Sequence, residues 1–179
     1  MSKSQLSSSK PRKSAASELA LHAGEQWEKG KLRSAFRLFL KAAKAGDSGA
    51  QTNIGYFYNV GVGVQPNRAA ALYWYKRAWR HKNKYAAKYA ASNIGTIWRD
   101  EQKLKRAVSW FQRAVKLGCG DANLEIAKIY FRNERDKEKA IRYLREAIRA
   151  AHITEGSKEQ ARRLLRQALR KGSAVRWKR

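Results

Sequence analysis

Two glycines in the stretch Gly61–Val64 have the spacing of a phosphate-binding loop, which would point to an enzyme. Such a loop follows a β-strand and opens a helix, and a Lys-Ser or Lys-Thr pair follows it in nucleotide-binding proteins. Here an aromatic-rich helical segment precedes Gly61, and no such pair follows. We therefore interpret Gly61 and Gly63 as a helix stop and a left-handed turn, with Pro66 near the start of the next helix.

Other residues capable of chemistry are scattered. His22, His81 and His152 are far apart in sequence and have no Asp, Glu or Cys at metal-ligand spacing. A single cysteine, Cys119, excludes an internal disulfide framework and a cysteine-rich zinc module. Asp100 and Glu101 close a predicted helix. We expect no enzymatic activity, no metal and no cofactor, and we do not expect a small-molecule substrate.

Charge is the unusual property of the composition. The 179 residues include 40 Lys and Arg against 14 Asp and Glu, a formal net charge of +26. Such a surface attracts nucleic acid, anionic lipid or an acidic protein. Neither a signal-peptide core nor the ~20 apolar residues of a membrane span is present. The sequence predicts a soluble, cytoplasmic protein.

One pattern recurs along the chain: Ala, two residues, a large apolar residue, three residues, Ala. Residues at i, i+3 and i+7 share one helix face, where alanine lets a neighbouring helix approach closely. A fifth copy follows the fourth after only 21 residues, which is too short for a full repeat and indicates a terminal capping helix. The copies begin at Ala35, Ala71, Ala107, Ala140 and Ala161.

A second helix precedes each of the three middle copies. The segments AQTNIGYFY, AASNIGTIW and ANLEIAKIY align without gaps and share an isoleucine followed by a small residue, Gly55, Gly95 or Ala127. The repeated unit is therefore a helical hairpin, with the small residue at a close helix contact. Helices are predicted at 15–28, 31–45, 48–60, 67–81, 85–99, 103–117, 120–133, 136–151 and 156–171.

The run Gly61-x-Gly63-Val64, followed by Ala71-x-x-Trp74-Tyr75-x-x-Ala78, resembles the Sel-one-like repeat, a relative of the tetratricopeptide repeat. Residues 23–46 are more similar to a plain tetratricopeptide unit. The resemblance implies an all-α, right-handed α-solenoid that serves as a protein-binding scaffold. We expect a disordered basic extension at 1–13, the solenoid at 14–172 and a basic tail at 173–179 that includes Trp177.

A candidate groove follows from the resemblance, because the first helices of related hairpins line the concave surface. Asn53 and Asn93 would then be matched outward positions, whose amides could hydrogen-bond an extended peptide or clamp a terminal carboxylate. A solvated role for both asparagines stays open, and Glu125 replaces Asn in the third repeat. The other residues predicted to face the groove are Thr52, Tyr56, Arg99 and Lys128, whereas Tyr75, Trp79, Tyr85, Tyr89 and Phe111 are expected in the core.

A basic ridge is predicted along the ends of the second helices, at Lys44, Arg80, Lys116, Arg149 and Arg170, with Arg77 and Arg113 one turn earlier. Favourable interaction of cations with helix C-termini also explains such residues. Two functions stay open. The first is an adaptor that binds an acidic protein or peptide through the groove, with the ridge steering association. The alternative is a protein that binds RNA or DNA through its basic termini and the ridge.

Overall fold

The protein is described here by a computed structural model covering residues 14–132 and 136–173, with side chains to Arg170. Nine α-helices and no strand occur in these ranges. Each helix end lies within two residues of its predicted position. The predicted extension at 1–13 and the segment 174–179, with Trp177, fall outside the described residues. The helices are α1 Ala15–Glu28, α2 Leu32–Lys44, α3 Ser48–Val60, α4 Arg68–Trp79, α5 Lys84–Asp100, α6 Leu104–Lys116, α7 Gly120–Phe131, α8 Lys137–Arg149 and α9 Glu155–Ser173.

Short polar side chains begin several of these helices. Asp47 Oδ1 accepts a hydrogen bond from the Ala50 amide at 2.7 Å, and Asn67 caps α4 in the same way. Gly61 ends α3 in the left-handed conformation, with φ of 80°, and Gly63 also has a positive φ. The glycine stretch is therefore a turn between two helices, as the sequence predicts.

The recurring alanines form the centre of each hairpin. Both alanines of each of the five copies have no exposed surface. The small residues after isoleucine allow the close contact that the alignment predicts. A Cβ atom built on Gly55 would lie 2.6 Å from the Tyr75 ring, and one on Gly95 would lie 2.7 Å from the Phe111 ring. Glycine is required there because each ring packs directly against the backbone of the partner helix.

The hairpins stack in sequence order. Every helix packs against its neighbour along the chain, and α3 also contacts α5, as α7 contacts α9. Here α3, α5 and α7 form the first-helix face, and α2, α4 and α6 form the second-helix face. The Gly120 amide donates to the His152 carbonyl at 2.8 Å, which fixes the connection that leads into α9. This is the α-solenoid with a C-terminal helix expected from the sequence. None of the described helices is long and apolar enough to cross a bilayer.

Candidate partner-binding site

A cleft of about 370 Å³ lies between α3 and α5 on the first-helix face. Four of the six residues predicted for the groove line this cleft, which joins positions 40 residues apart in the chain. No charged side chain contributes to its lining. We call it the Asn–Tyr cleft, and its lining residues are Gly49, Thr52, Asn53, Tyr56, Tyr85, Ala86, Tyr89 and Asn93.

The two asparagines of the cleft have unused hydrogen-bonding capacity. Both are in helix interiors, so neither serves as a helix cap. Within residues 14–132 and 136–170, neither side-chain amide has a hydrogen-bond partner, whereas the Thr52 hydroxyl donates to the Ser48 carbonyl at 3.0 Å. An amide presents two N–H donors and an acceptor oxygen. Asn53 and Asn93 can therefore bond to the backbone of a bound chain.

Three tyrosines surround these amides. The expectation that Tyr85 and Tyr89 belong to the core is wrong, because their side chains are 67% and 41% exposed. Tyr85, Tyr89 and Asn93 are spaced by four residues, so all three lie on the outward face of α5. That spacing was the sequence signal for their position. Tyr56, which is 39% exposed, completes the group from α3 and packs on the Trp27 ring at a centroid distance of 5.8 Å.

Lys88 holds the two α5 tyrosines in place. Its ammonium lies 5.1 Å from the Tyr85 ring centroid and 4.9 Å from that of Tyr89, although the residue is buried. The two rings meet edge to face at 4.8 Å. A hydrogen bond with Tyr85, with some burial, raises the pKa of Tyr89 to about 12. Tyr89 is therefore neutral at physiological pH. The contacts with Lys88 and between the two rings restrict both side chains, which lowers the entropy lost when a partner packs on them.

Arg99 and Lys128, the other two predicted groove residues, do not line the cleft. Both contact Glu125, which occupies the position of the asparagines in the third repeat. The Lys128–Glu125 distance is 2.7 Å, and Arg99 links α5 to α7 through the same carboxylate. Burial opposes the charge of Arg99, but hydrogen bonds and the charges of Asp100 and Glu125 outweigh it and raise its pKa. This part of the first-helix face is a compensated ion-pair cluster.

The seven cations of the predicted ridge are all exposed, and each lies within three residues of the C-terminal end of its helix. Arg113 stacks on Trp110 at 4.3 Å from the ring centroid and also lies 5.5 Å from that of Trp79 on α4. Arg77 stacks on Trp74 at 5.6 Å. These cations are accessible to a partner, and their action as one ridge stays a prediction.

The histidines and the cysteine have local structural roles in the described ranges. His22 Nδ1 lies 3.2 Å from the Glu25 carboxylate, and the Asn83 amide donates to His81 Nδ1 at 3.4 Å. Cys119 is buried, and this burial raises the pKa of its thiol. No group of three His, Cys, Asp or Glu residues within the described part of the chain could hold a metal ion.

Known proteins share this architecture. A Sel1 repeat protein from Oxalobacter formigenes superposes with a TM-score of 0.68 at 21% identity, covering 86% of this chain and 63% of that one. The protective antigen c5321 of uropathogenic Escherichia coli, which has an SLR fold, gives 0.58 at 25% identity, covering 72% and 29%. This chain is therefore similar to parts of both proteins, and spans less than two thirds of either.

The Sel1 repeat family model matches five segments, residues 14–47, 48–81, 95–119, 121–152 and 154–173. The first segment, interpreted from its sequence as more similar to a plain tetratricopeptide unit, is thus matched by the same model as the others. Sel1 repeat proteins are generally non-catalytic scaffolds that mediate protein–protein interaction. The matched segments cover most of the chain, and the protein belongs to the Sel1 repeat family.

Proposed function

We propose that this protein is a non-enzymatic adaptor that binds an extended segment of a partner protein in the Asn–Tyr cleft. The observation that carries the proposal is the pair of equivalent amides, Asn53 and Asn93, without partners among the described residues and flanked by exposed tyrosines. We also propose that the protein acts in the cytoplasm, as the sequence predicts.

The geometry favours an extended backbone. Packed helices lie roughly 8–10 Å apart, which is the length of about three residues of extended chain. The amides of Asn53 on α3 and Asn93 on α5 can then bond to backbone groups about three residues apart. Tyr56, Tyr85 and Tyr89 offer large, ordered rings for the side chains between those groups. Tyrosine is enriched in the few residues that dominate binding energy at interfaces.

Charge selection would come from outside the cleft, because no charged residue lines it. The exposed cations at the ends of the second helices, such as Lys44 and Arg80, attract a partner with acidic flanking sequence. Such long-range attraction accelerates association and weakens as salt increases. We therefore infer a partner segment that is uncharged where it enters the cleft and acidic on either side.

Peptide selection from a random displayed library tests the proposal. Affinity of the selected peptides is measured by calorimetry for the native protein, the double variant Asn53→Ala/Asn93→Ala, and Tyr85→Ala. Asn59→Ala, on the same helix α3 but outside the cleft lining, is the matched control. Two lost hydrogen bonds at about 1 kcal/mol each reduce affinity by ~30-fold, and loss of the Tyr85 ring reduces it by a similar factor.

Equal binding by the native protein and the double variant would place the binding site elsewhere and refute the proposal. Circular dichroism of each variant checks that folding is intact. Sedimentation of the free protein tests whether the cleft is filled by a second copy of the chain. A dimer that is lost in the Asn53→Ala/Asn93→Ala variant would show this and would contradict the proposal.

A further inference from the structure

Carboxylates are absent from the second-helix face formed by α2, α4 and α6, whereas α8, the second helix of the next hairpin, carries Glu138 and Glu146. Helices α2, α4 and α6 carry four, three and four Lys or Arg and no Asp or Glu. In contrast, α1, α3, α5 and α7 carry six carboxylates and four basic side chains. The interaction of cations with helix C-termini does not explain this difference, because cations such as Lys105 and Arg106 lie in the first turn of their helix, where the dipole is unfavourable. The second-helix face is therefore a surface suited to a polyanion.

A cleft of about 410 Å³ lies on this face, between α4 and α6 and the end of α5. Four cations and two indole rings line it, and the lining includes no carboxylate. Its size is within the range of roughly 300–1,000 Å³ typical of ligand sites. We call it the Lys–Trp cleft, and these six residues are Lys76, Lys105, Arg106, Arg113, Trp98 and Trp110.

The indole rings hold the guanidinium groups in place. Arg106 lies 5.1 Å from the Trp98 ring centroid, and Arg113 lies 4.3 Å from that of Trp110. Cation–π stacking restricts the side chains, so that less rotamer entropy is lost when an anion binds. A planar guanidinium fork matches two oxygens of one phosphate group. The same fork also matches a carboxylate, so the aromatic rings, on which a base can stack, are the feature that favours a nucleic acid.

The carboxylate of Glu101, which follows the last residue of α5, interacts with several cations, including Arg106 of the cleft. Glu101 pairs with Lys103 at 2.8 Å. The hydrogen bond from Lys103 and the positive charges of Lys103, Arg68 and Arg106 lower the pKa of Glu101. Cations therefore dominate the electrostatic potential at Glu101.

We propose that the Lys–Trp cleft binds a single-stranded nucleic acid, with the phosphates on its cations and a base against its indole and guanidinium planes. Grooves that combine cations with aromatic rings bind single strands with little sequence preference. A run of acidic residues in a protein would satisfy the cations but leave the ring surfaces unused. The site is separate from the Asn–Tyr cleft, and the proposal does not depend on the proposed function. With a partner protein in the Asn–Tyr cleft and a nucleic acid in the Lys–Trp cleft, the protein would link the two.

Fluorescence anisotropy with labelled oligo-U and oligo-dT of about 12 nucleotides tests the proposal on the full chain. Ser109→Glu places a carboxylate in the cleft, since Ser109 is an exposed lining residue on α6. Gln160→Glu, exposed on α9, makes the same change in net charge elsewhere. We expect Ser109→Glu to weaken binding by ~10-fold at about 0.1 M salt, and Gln160→Glu by less than about 2-fold. Glu101→Gln should strengthen binding.

A triple variant measures the number of phosphate contacts. For single strands, the logarithm of the binding constant falls by roughly 0.7 per phosphate contact for each tenfold increase in salt concentration. Loss of three cleft cations should reduce that slope by about 2. The cleft variant is Lys76→Gln/Lys105→Gln/Arg106→Gln, and the matched control on α2 is Arg33→Gln/Arg37→Gln/Lys41→Gln.

Two results would overturn the proposal. Equal losses in the cleft and α2 triple variants would show that binding is diffuse charge attraction without a site. Displacement of the oligonucleotide by an oligoglutamate of equal charge and at equal concentration would show that the cleft recognises acidic protein segments. Thermal unfolding of each variant confirms that the compared proteins are folded.

Discussion

Gly95→Ala tests the packing that fixes the spacing of the two faces. In an exposed helix, replacement of glycine by alanine stabilises by roughly 0.5–1 kcal/mol. At Gly95 the added Cβ would lie 2.7 Å from Phe111 Cδ1 and 2.8 Å from Cε1, whereas carbon atoms in contact are about 3.5–4.0 Å apart. The Phe111 ring must therefore move by about 1 Å, although it is fully buried.

Overpacking of this kind costs about 1–3 kcal/mol, so the net loss for Gly95→Ala should be about 1–2 kcal/mol. Gly24→Ala is the matched control, because no atom lies within 4 Å of a Cβ built on that helical glycine. This control should gain about 0.5–1 kcal/mol. Urea unfolding followed by circular dichroism measures both. A Gly95→Ala protein as stable as Gly24→Ala would refute the close-contact explanation.

The third repeat suggests how to rescue the variant. Ala127 stands at the position of Gly95, and Leu144 stands at the position of Phe111, so the larger residue after isoleucine accompanies a smaller residue on the next helix. Phe111→Leu added to Gly95→Ala should therefore restore stability beyond the sum of the single effects. A double-mutant cycle should give a favourable coupling of about 1 kcal/mol or more, and strict additivity would contradict this explanation.

Three further predictions concern the C-terminal half. Gly120→Ala should destabilise by ~3 kcal/mol in urea unfolding, because the added Cβ would lie 2.6 Å from the His152 backbone carbonyl oxygen; native stability would be the contrary result. Glu125→Gln should destabilise by about 1–2 kcal/mol, since Arg99 and Lys128 both lose their half-buried partner, and unchanged stability would contradict that role. Native Cys119 should resist iodoacetamide and react only at a higher pH than a free thiol, because burial raises its pKa and keeps it protonated. Reaction at the rate of the unfolded chain would show the thiol to be accessible.

The fold could be predicted from the sequence because its repeat fixes helix type, helix faces and close contacts together. Alanine at i and i+7 around a large residue needs a buried helix face, and the five fully buried alanine pairs confirm it. The sequence alignment shows a small residue at the position after isoleucine, which is Gly55 or Gly95 in two repeats and Ala127 in the third. Its strict requirement for glycine depends on where the Tyr75 and Phe111 rings lie, which only the three-dimensional contacts show.

The site was harder to predict, because position on a helix does not determine the partner of a side chain. Thr52, Asn53, Tyr56 and Asn93 lie together as expected, yet Arg99 and Lys128 on the same face are held by Glu125. A pairing across two helices cannot be read from the period of one helix. Tyr85 and Tyr89 were assigned to the core by their spacing, although their four-residue steps to Asn93 place them on the outward face of α5.

Photo-crosslinking in the native host shows whether a partner protein binds in the Asn–Tyr cleft. A photoreactive phenylalanine replaces Tyr56 in the cleft or, as the control, Tyr73, which is 57% exposed on α4 of the opposite face. We predict one discrete cross-linked protein at Tyr56 that is absent at Tyr73 and is lost when Asn53→Ala and Asn93→Ala are added. The same products at both positions, or none at Tyr56, would contradict the account.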